Sequence, residues 1–190
     1  MGTVILLVVV IGVGLWVMGA YNGLVALKNG ALNAWKQIDV QLKRRHDLIP
    51  NLVNTVKGAM EFERGTLEAV ISARNRAMGA SGVKETAQAE GELTQALGRL
   101  FSLTEAYPDL KANANIAQLQ EELTSTENRV GFARQHYNDV ATQYNTRQAQ
   151  FPTNLVAGLA KASPAELWEI ENTAERAVPN VDLSFGKPPA

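Results

Sequence analysis

The sequence predicts an all-α protein with one N-terminal transmembrane helix followed by a long antiparallel bundle of three or four helices. Three observations predict this fold class. The first 27 residues carry no charged side chain, apolar residues recur every seven positions further on, and Ala, Leu, Gln and Glu, which favour helices over strands, are abundant. The 190 residues then divide into a transmembrane anchor at 1–27, a helical bundle at 28–177 and an extended or disordered tail at 178–190.

The N-terminal segment Val4–Ala20 is almost entirely apolar, and the first charged side chain is Lys28. Its 17 residues reach about 26 Å as a helix, and the uncharged stretch continues far enough to cross a hydrocarbon core of about 30 Å. Trp16 and Tyr21 stand where aromatic side chains mark a membrane interface. A cleaved signal peptide is the main alternative, but no basic residue precedes the run and Met18–Ala20 is a poor cleavage site. We therefore expect an uncleaved anchor.

Basic side chains are concentrated just after the apolar run. Residues 28–76 hold nine Lys or Arg against five Asp or Glu, whereas residues 77–160 hold six against nine. Because basic residues near a span favour the cytoplasmic side, we expect a single-pass protein whose soluble domain lies in the cytoplasm. The densest basic cluster is Lys43, Arg44 and Arg45. It is either a salt-bridged helix surface or a juxtamembrane patch that contacts anionic headgroups or a partner.

Residues 24–78 are predicted to form one long helix or two collinear helices. Eight of ten positions in two sevenfold series are apolar, and the exceptions are Lys28 and Arg45. Pro50 lacks an amide donor and clashes with the preceding turn, so we expect a kink or break near Asp47–Pro50, with Asp47 capping a second helix from Leu48. The two series are Leu24, Ala31, Ile38, Arg45, Leu52 and Lys28, Trp35, Leu42, Ile49, Val56.

Two further long helices are predicted. Met78–Gly82 indicates a turn, and a helix is expected from about Lys84 to Ala106. The next helix carries the most regular apolar series, and Pro152 stops it. That series is Ile116, Leu123, Val130, Tyr137, Tyr144 and Phe151. Ser163–Glu166 has the sequence of a capping box with proline at the first helical position, so we expect a short helix from there to about Ala177.

The residues offer no candidate catalytic, cofactor-binding or metal site. The chain has no cysteine, and His46 and His136 alone do not make a zinc site. No phosphate-binding glycine loop and no nucleophile elbow occurs. Nucleic-acid binding needs a larger basic surface with aromatic stacking groups. We therefore expect no enzyme activity, cofactor, nucleic acid or small-molecule substrate, and the expected partners are the lipid bilayer, further copies of the chain and another membrane protein.

Contact surfaces are the remaining candidates for functional residues. We expect them to act through packing, contact with headgroups and the bend at the proline. The predicted lipid- or partner-contact residues are Trp35, Lys43, Arg44, Arg45 and Pro50. Gly19 and Gly23 form a pair of small residues four positions apart, which is typical of close packing between transmembrane helices. Glycine is also common in membrane helices without such a contact.

Several segments together form one recognisable pattern: Tyr21–Asn29, Ala34–Arg45, Asp47–Val53, Val56–Gly58, Ala73–Arg74, Tyr144–Asn145, Phe151–Pro152 and Val178–Asp182. This pattern resembles the signature of the LemA family. The resemblance spans nearly the whole chain, with one departure at Phe62, where the family pattern has a histidine. It implies a bacterial or archaeal protein with one N-terminal transmembrane helix, a helical-bundle domain and no known enzyme activity. Some relatives are associated with membrane invagination around magnetosomes.

Two functions fit these expectations. The first is a self-assembling scaffold at the bacterial inner membrane, involved in organising or remodelling that membrane, because tethering in two dimensions raises the effective concentration of weakly interacting surfaces. The second is an adaptor or accessory subunit for another membrane protein, such as a transporter, a protease or a signalling complex, which needs one exposed hydrophobic groove. Self-association distinguishes the first function from the second.

Overall fold

The computed structural model is all-α and describes residues 1–58, 60 and 63–169. The helices of this described part are α1 Gly2–Lys57, α2 Arg64–Gly79, α3 Val83–Ala106, α4 Pro108–Lys111, α5 Ala114–Ala149 and α6 Asn154–Ala157. The predicted fold class is confirmed, and α3 begins one residue before the helix expected from Lys84. The tail at 178–190, the helix expected over 170–177 and the departure at Phe62 lie outside the described residues.

The first helix, α1, is uninterrupted for 56 residues, or about 84 Å. Its start projects away from the rest of the protein, because the large apolar side chains from Val4 to Leu15 are 54–63% exposed. Within the described residues, α1 alone is long and apolar enough to cross a membrane, with a mean hydropathy of 2.6 in a window that is only 6% buried. Burial begins at Ala20 and Leu24, where the bundle starts to cover the helix.

Helix α1 continues through Pro50 and ends at Lys57, so the predicted break near Asp47–Pro50 and the second helix from Leu48 are wrong. The prediction of one long helix or two collinear helices over residues 24–78 is also wrong, because α2 begins at Arg64 and runs back along α1. Proline at position 50 deprives the His46 carbonyl of its usual amide donor four residues later. The Arg74 side chain of α2 replaces that donor, and its Nε donates to the His46 carbonyl over 2.7 Å. The helix tolerates Pro50 because a neighbouring helix satisfies the acceptor that the proline leaves unpaired.

The half of the domain farther from the apolar segment is a bundle of α1, α2, α3 and α5. Neighbouring helices in the chain run antiparallel, because Arg74 of α2 returns to the level of His46 and Gln120 of α5 lies beside Thr104 of α3, with Nε2 to Oγ1 at 3.1 Å. Their apolar faces meet in one core, which explains the sevenfold spacing of the sequence. The largest fully buried members of that core are Ile49, Leu52, Val56, Met60, Val70, Leu93, Leu100 and Ile116.

The half nearer the apolar segment consists mainly of an antiparallel pair of helices, α1 and α5. Leu24 packs with Tyr144, and the α-carbon of Gly30 lies so close to α5 that an added Cβ would meet Val140 Cγ1 at 3.4 Å. Two helices alone leave both sides of their seam uncovered. An extended segment, residues 163–169, covers one of these sides, and we call it the strap.

The strap contradicts the helix predicted to start at the capping box Ser163–Glu166, because none of residues 163–169 is helical. A helix would satisfy the backbone amides and carbonyls of this segment internally. Here side chains of α5 bond part of this backbone instead, through the hydrogen bonds of Asn138 and Asn145 with Trp168 and Ala165. The extended backbone keeps hydrogen bonds at these two residues and gains burial of Trp168, which is 4% exposed.

The Arg74 bond predicts a non-additive pair of mutations. Arg74→Met is expected to destabilise the fold by about 1–3 kcal/mol, because the His46 carbonyl is left without a donor. In a Pro50→Ala background the same change should cost clearly less, since the introduced alanine has a backbone amide that can bond that carbonyl within α1. Thermal and chemical unfolding of the four full-length variants in detergent measures the difference, and equal costs in both backgrounds would contradict it.

Candidate functional site

A buried ionic cluster joins α1, α3 and α5 in the middle of the bundle. Arg45 Nη1 donates to Glu90 Oε2 over 2.9 Å, and Nη2 donates to Thr94 Oγ1 over 2.8 Å. His46 Nε2 lies within hydrogen-bond distance of Glu90 Oε1, at 2.6 Å. Arg45 Nη2 also lies 2.9 Å from Glu127 Oε2, as a charge contact rather than a directed hydrogen bond. Arg45, His46 and Glu90 are only 3–7% exposed.

This burial contradicts the surface role predicted for Arg45, whose guanidinium is enclosed by its own chain. Lys43 and Arg44 are exposed, so the predicted basic patch is reduced to these two side chains at this level of α1. The sequence did contain a signal for the cluster. Arg45 interrupts the apolar series of α1, and Glu90 interrupts the seam of α3, seven residues before Leu97. Opposite charges that each replace an apolar seam residue indicate a buried ion pair.

Two asparagines of α5 hold the backbone of the strap. Asn138 Nδ2 donates to the Trp168 carbonyl over 3.0 Å, and the Trp168 amide donates to Asn138 Oδ1 over 2.8 Å. Asn145 makes the same pair with Ala165, at 2.9 and 2.7 Å. Seven residues separate the two asparagines, so both side chains leave α5 on one face. The strap is therefore recognised through its main chain, in the manner of a strand bonded to a sheet edge.

Aromatic side chains fix the end of the strap in the groove between α1 and α5. Trp35 packs against Tyr137 with ring centroids 5.5 Å apart and against Trp168 at 5.9 Å. The guanidinium of Arg134 lies 5.0 Å from the centroid of the Trp168 ring, a cation–π contact. Trp35, predicted as a lipid or partner contact, is therefore half-buried and packs within its own chain.

The Tyr137 hydroxyl completes the attachment of the strap by donating to the Glu166 carbonyl over 2.6 Å. Burial, and then the nearby Glu166 carboxylate, raise the pKa of Tyr137 above its usual value near 10.0. The raised pKa keeps the phenol in the protonated form that can donate. Its contribution to stability is therefore present below pH 10.0 and is lost as the pH rises through the raised pKa.

On the other side of the seam, no segment of the described residues covers the groove between α1 and α5, which we call the lateral groove. Its apolar side chains are unusually exposed, at 64% for Val40 and 73% for Phe132. Leu32, two turns before Val40 on α1, is 52% exposed. The groove is lined by Lys36, Gln37, Val40, Gln41, Arg129, Phe132, Ala133 and His136. Exposed apolar side chains rimmed by polar and basic ones are typical of contact surfaces.

The other predicted contact residues occupy different environments. Gly19 and Gly23 lie on the exposed part of α1, with no atom of the described residues within 4 Å of an added Cβ. Their role in packing between membrane helices stays a prediction. Pro50 is half-buried in the bundle. Within the described residues, no three or more His, Asp or Glu side chains converge in a way that could hold a metal ion.

The family model of the LemA family matches residues 34–183. Protein LemA of Metamycoplasma hominis is 29% identical over 142 residues, which cover 74% of this chain and 64% of that protein. Magnetosome protein MamQ 2 of Paramagnetospirillum magneticum is 25% identical over 175 residues, covering 78% and 64% of the two chains. Magnetosome protein MamQ of Magnetospirillum gryphiswaldense is 24% identical over 163 residues, covering 72% and 60%. The chain thus covers less than two thirds of each of these relatives.

The ionic cluster predicts a large cost for neutralising Glu90. Glu90→Gln is expected to destabilise the bundle by about 3–5 kcal/mol, because Arg45 stays buried without its main counter-charge. Glu92→Gln is the matched control on the same helix, since its pair with Arg76 is exposed at 56% and 45% and should contribute less than about 1 kcal/mol. Chemical unfolding followed by circular dichroism compares them, and similar losses for the two variants would contradict the prediction.

Asn138 and Asn145 clamp the strap to α5, so removing one of these clamps is predicted to loosen the strap locally. Asn138→Ala removes both hydrogen bonds to the Trp168 backbone, so exchange of the Trp168 amide with solvent should accelerate by roughly tenfold or more. Asn128→Ala, at an exposed position of the same helix, is the control and should leave that amide unchanged. Hydrogen exchange of the full-length protein measures both. Unchanged protection in Asn138→Ala would show that the aromatic contacts hold the strap without the clamp.

Proposed function

Because this chain belongs to the LemA family, we propose that it is a membrane-anchored helical scaffold that assembles with copies of itself at the bacterial inner membrane and organises or remodels that membrane. The lateral groove carries this proposal. It presents Val40 and Phe132, which are 64% and 73% exposed, on a domain that a single helix holds beside a bilayer. Burying these side chains against a neighbouring molecule removes apolar surface from water.

The apolar start of α1 is proposed to cross the membrane once. Its side chains have no protein partner within the described residues, and a hydrocarbon interior is the environment that suits them. Lys28 and Lys36 follow the apolar run, and the first acidic residue of the chain is Asp39. This asymmetry supports a cytoplasmic location of the bundle.

Charge supports contact between copies in a head-to-tail arrangement. The rim of the lateral groove includes Lys36 and Arg129. Residues 28–76 hold nine basic and five acidic side chains, a net of +4, and residues 77–160 hold six and nine, a net of −3. We therefore propose that the basic rim of the groove on one copy contacts acidic side chains of residues 77–160 on the next. Such a contact leaves free surfaces at both ends and builds open arrays rather than closed dimers.

The relatives support a role at membranes without giving its details. Two of the similar proteins carry the name magnetosome protein, and a third is named only as LemA. None of these names describes a catalytic activity, and the ionic cluster and the strap contacts hold the fold together. We therefore place the function of this chain in its contacts with lipid and protein.

An adaptor for another membrane protein is the second candidate, because the lateral groove also fits one amphipathic helix of a different chain. The two candidates differ in what the purified protein does alone. A scaffold forms multimers without any partner, whereas an adaptor stays monomeric until its partner is added.

The scaffold predicts that multimers depend on the lateral groove. Phe132→Lys should convert large particles of the detergent-purified full-length protein into monomers or dimers, because the charge opposes burial of this position. Met78→Lys changes an apolar side chain that is 56% exposed elsewhere on the bundle and should leave particle size unchanged. Light scattering beside electron microscopy measures size, with residues 28–190 as a second control. Monomeric wild-type protein would reject the scaffold and favour the adaptor.

A further inference from the structure

The turn that follows α5 carries large apolar side chains that point away from the protein. Phe151 is 80% exposed, Leu155 67% and Leu159 71%. They recur every four residues through a segment that contains α6, from residue 150 to residue 162, which we call the α6 turn. Three exposed apolar side chains at this spacing on one short segment form a patch, which an isolated surface leucine does not.

The opposite side of this turn packs against α1 and α5. Thr153, Val156 and Ala157 are 2–9% exposed, and Ala157 packs with Leu24 and Tyr144 in one apolar cluster. The inward side chains alternate with the outward ones, so the segment is amphipathic. Rotating it to bury the outward set would expose the inward set, and the patch is therefore a stable feature of the surface.

The turn lies at the level where α1 leaves the apolar run. Helix α5 runs back along α1 towards the apolar segment, and the turn follows its last residue, Ala149. Leu24 touches Ala157 of the turn, and Ala20 is already 6% exposed one turn earlier. Val17 is half-buried, although it belongs to the apolar run itself. The patch is thus continuous along the molecule with the segment that could cross a membrane.

Among the described residues, the charged side chains nearest the apolar segment are basic. No Asp or Glu occurs in residues 1–38 or in residues 140–165. Lys28, Arg147 and Lys161 lie at this end and are exposed, whereas Lys36 lies farther from it, beyond the level of Asp139. Basic side chains beside apolar ones suit the headgroup region of a membrane that contains anionic lipids. The same surface on a second copy would meet it with like charge.

We propose that the α6 turn is a second membrane contact. Phe151, Leu155 and Leu159 insert at the interface between headgroups and acyl chains, and Arg147 and Lys161 lie among anionic headgroups. The bundle then rests on the bilayer at two places, the exit of α1 and this turn. The inference depends on the proposed membrane span, but it does not depend on self-assembly.

Fluorescent labelling tests the contact, because the natural chain has no cysteine to remove. Single cysteines are introduced as Leu155→Cys and Leu159→Cys, each labelled with an environment-sensitive fluorophore. Val8→Cys reports on the span itself, and Met78→Cys is a matched control at an exposed apolar residue on the bundle. The full-length protein is placed in vesicles of phosphatidylcholine and phosphatidylglycerol that contain nitroxide-labelled lipid, and iodide probes access from water.

If the turn contacts the bilayer, labels at 155 and 159 lose most of their fluorescence to nitroxide lipid and resist iodide, whereas the Met78 label does the reverse. Quenching of the Val8 label by lipid, with labels at 155 and 159 as open to iodide as the Met78 label, overturns the inference and leaves the span intact. Labels at 155 and 159 protected from both quenchers also overturn it, because another protein then covers the turn. A Val8 label that lipid does not quench rejects the span, and with it the second contact.

Discussion

The architecture depends on the ionic cluster, because apolar seams with a sevenfold repeat do not define a unique alignment of their helices. Sliding α5 along α1 by seven residues would again place apolar side chains opposite one another, at a displacement of about 10 Å. Such a slide would separate Arg45 from Glu127, and a slide of α3 would separate it from Glu90. A buried charge without its partner is far more costly than an imperfect apolar contact. The cluster thereby selects one alignment among several that the apolar side chains alone would allow.

The alignment of α5 with α1 determines where the strap and the turn lie, at the end of the molecule nearer the apolar segment. The same α5 that contributes Glu127 to the cluster carries Asn138 and Asn145, which hold the strap, and ends at the turn beside Leu24. The four-helix half is stabilised by its own core, whereas the two-helix half needs the strap as a third layer. Hydrogen bonds from the two asparagines to the main chain fix the position of this layer, and they do not depend on which side chains the bonded residues carry. The position of α5 along α1 is therefore fixed in the bundle, and it determines where the strap and the turn lie at the end nearer the apolar segment.

Much of the fold could be predicted from the sequence because helix formation and seam packing are local and periodic. The segments around Val83–Ala106 and Ala114–Ala149 follow directly from their spacing. Pro50 misled the prediction because its effect on α1 is cancelled by Arg74, a residue 24 positions away in the chain. Ser163–Glu166 misled it because a capping box indicates a helix only when no neighbouring element offers the backbone better partners. The site was harder still, although Trp35 and Arg45 both stand at seam positions of the sevenfold series. Their partners lie on α3, on α5 and in the strap, in distant parts of the chain, and the spacing along α1 does not identify them.

The continuity of α1 has a mechanical consequence. No flexible linker separates its apolar start from the bundle, so the domain inherits any change in the tilt of this helix. From residue 21 to Lys57 the helix extends about 55 Å, and a change in tilt of about 10° would displace its far end sideways by about 10 Å. Helices adjust their tilt when the thickness of the surrounding hydrocarbon changes. If its apolar start spans the bilayer as proposed, a rigid lever of this kind converts a small difference in bilayer thickness into a displacement as large as the diameter of a helix.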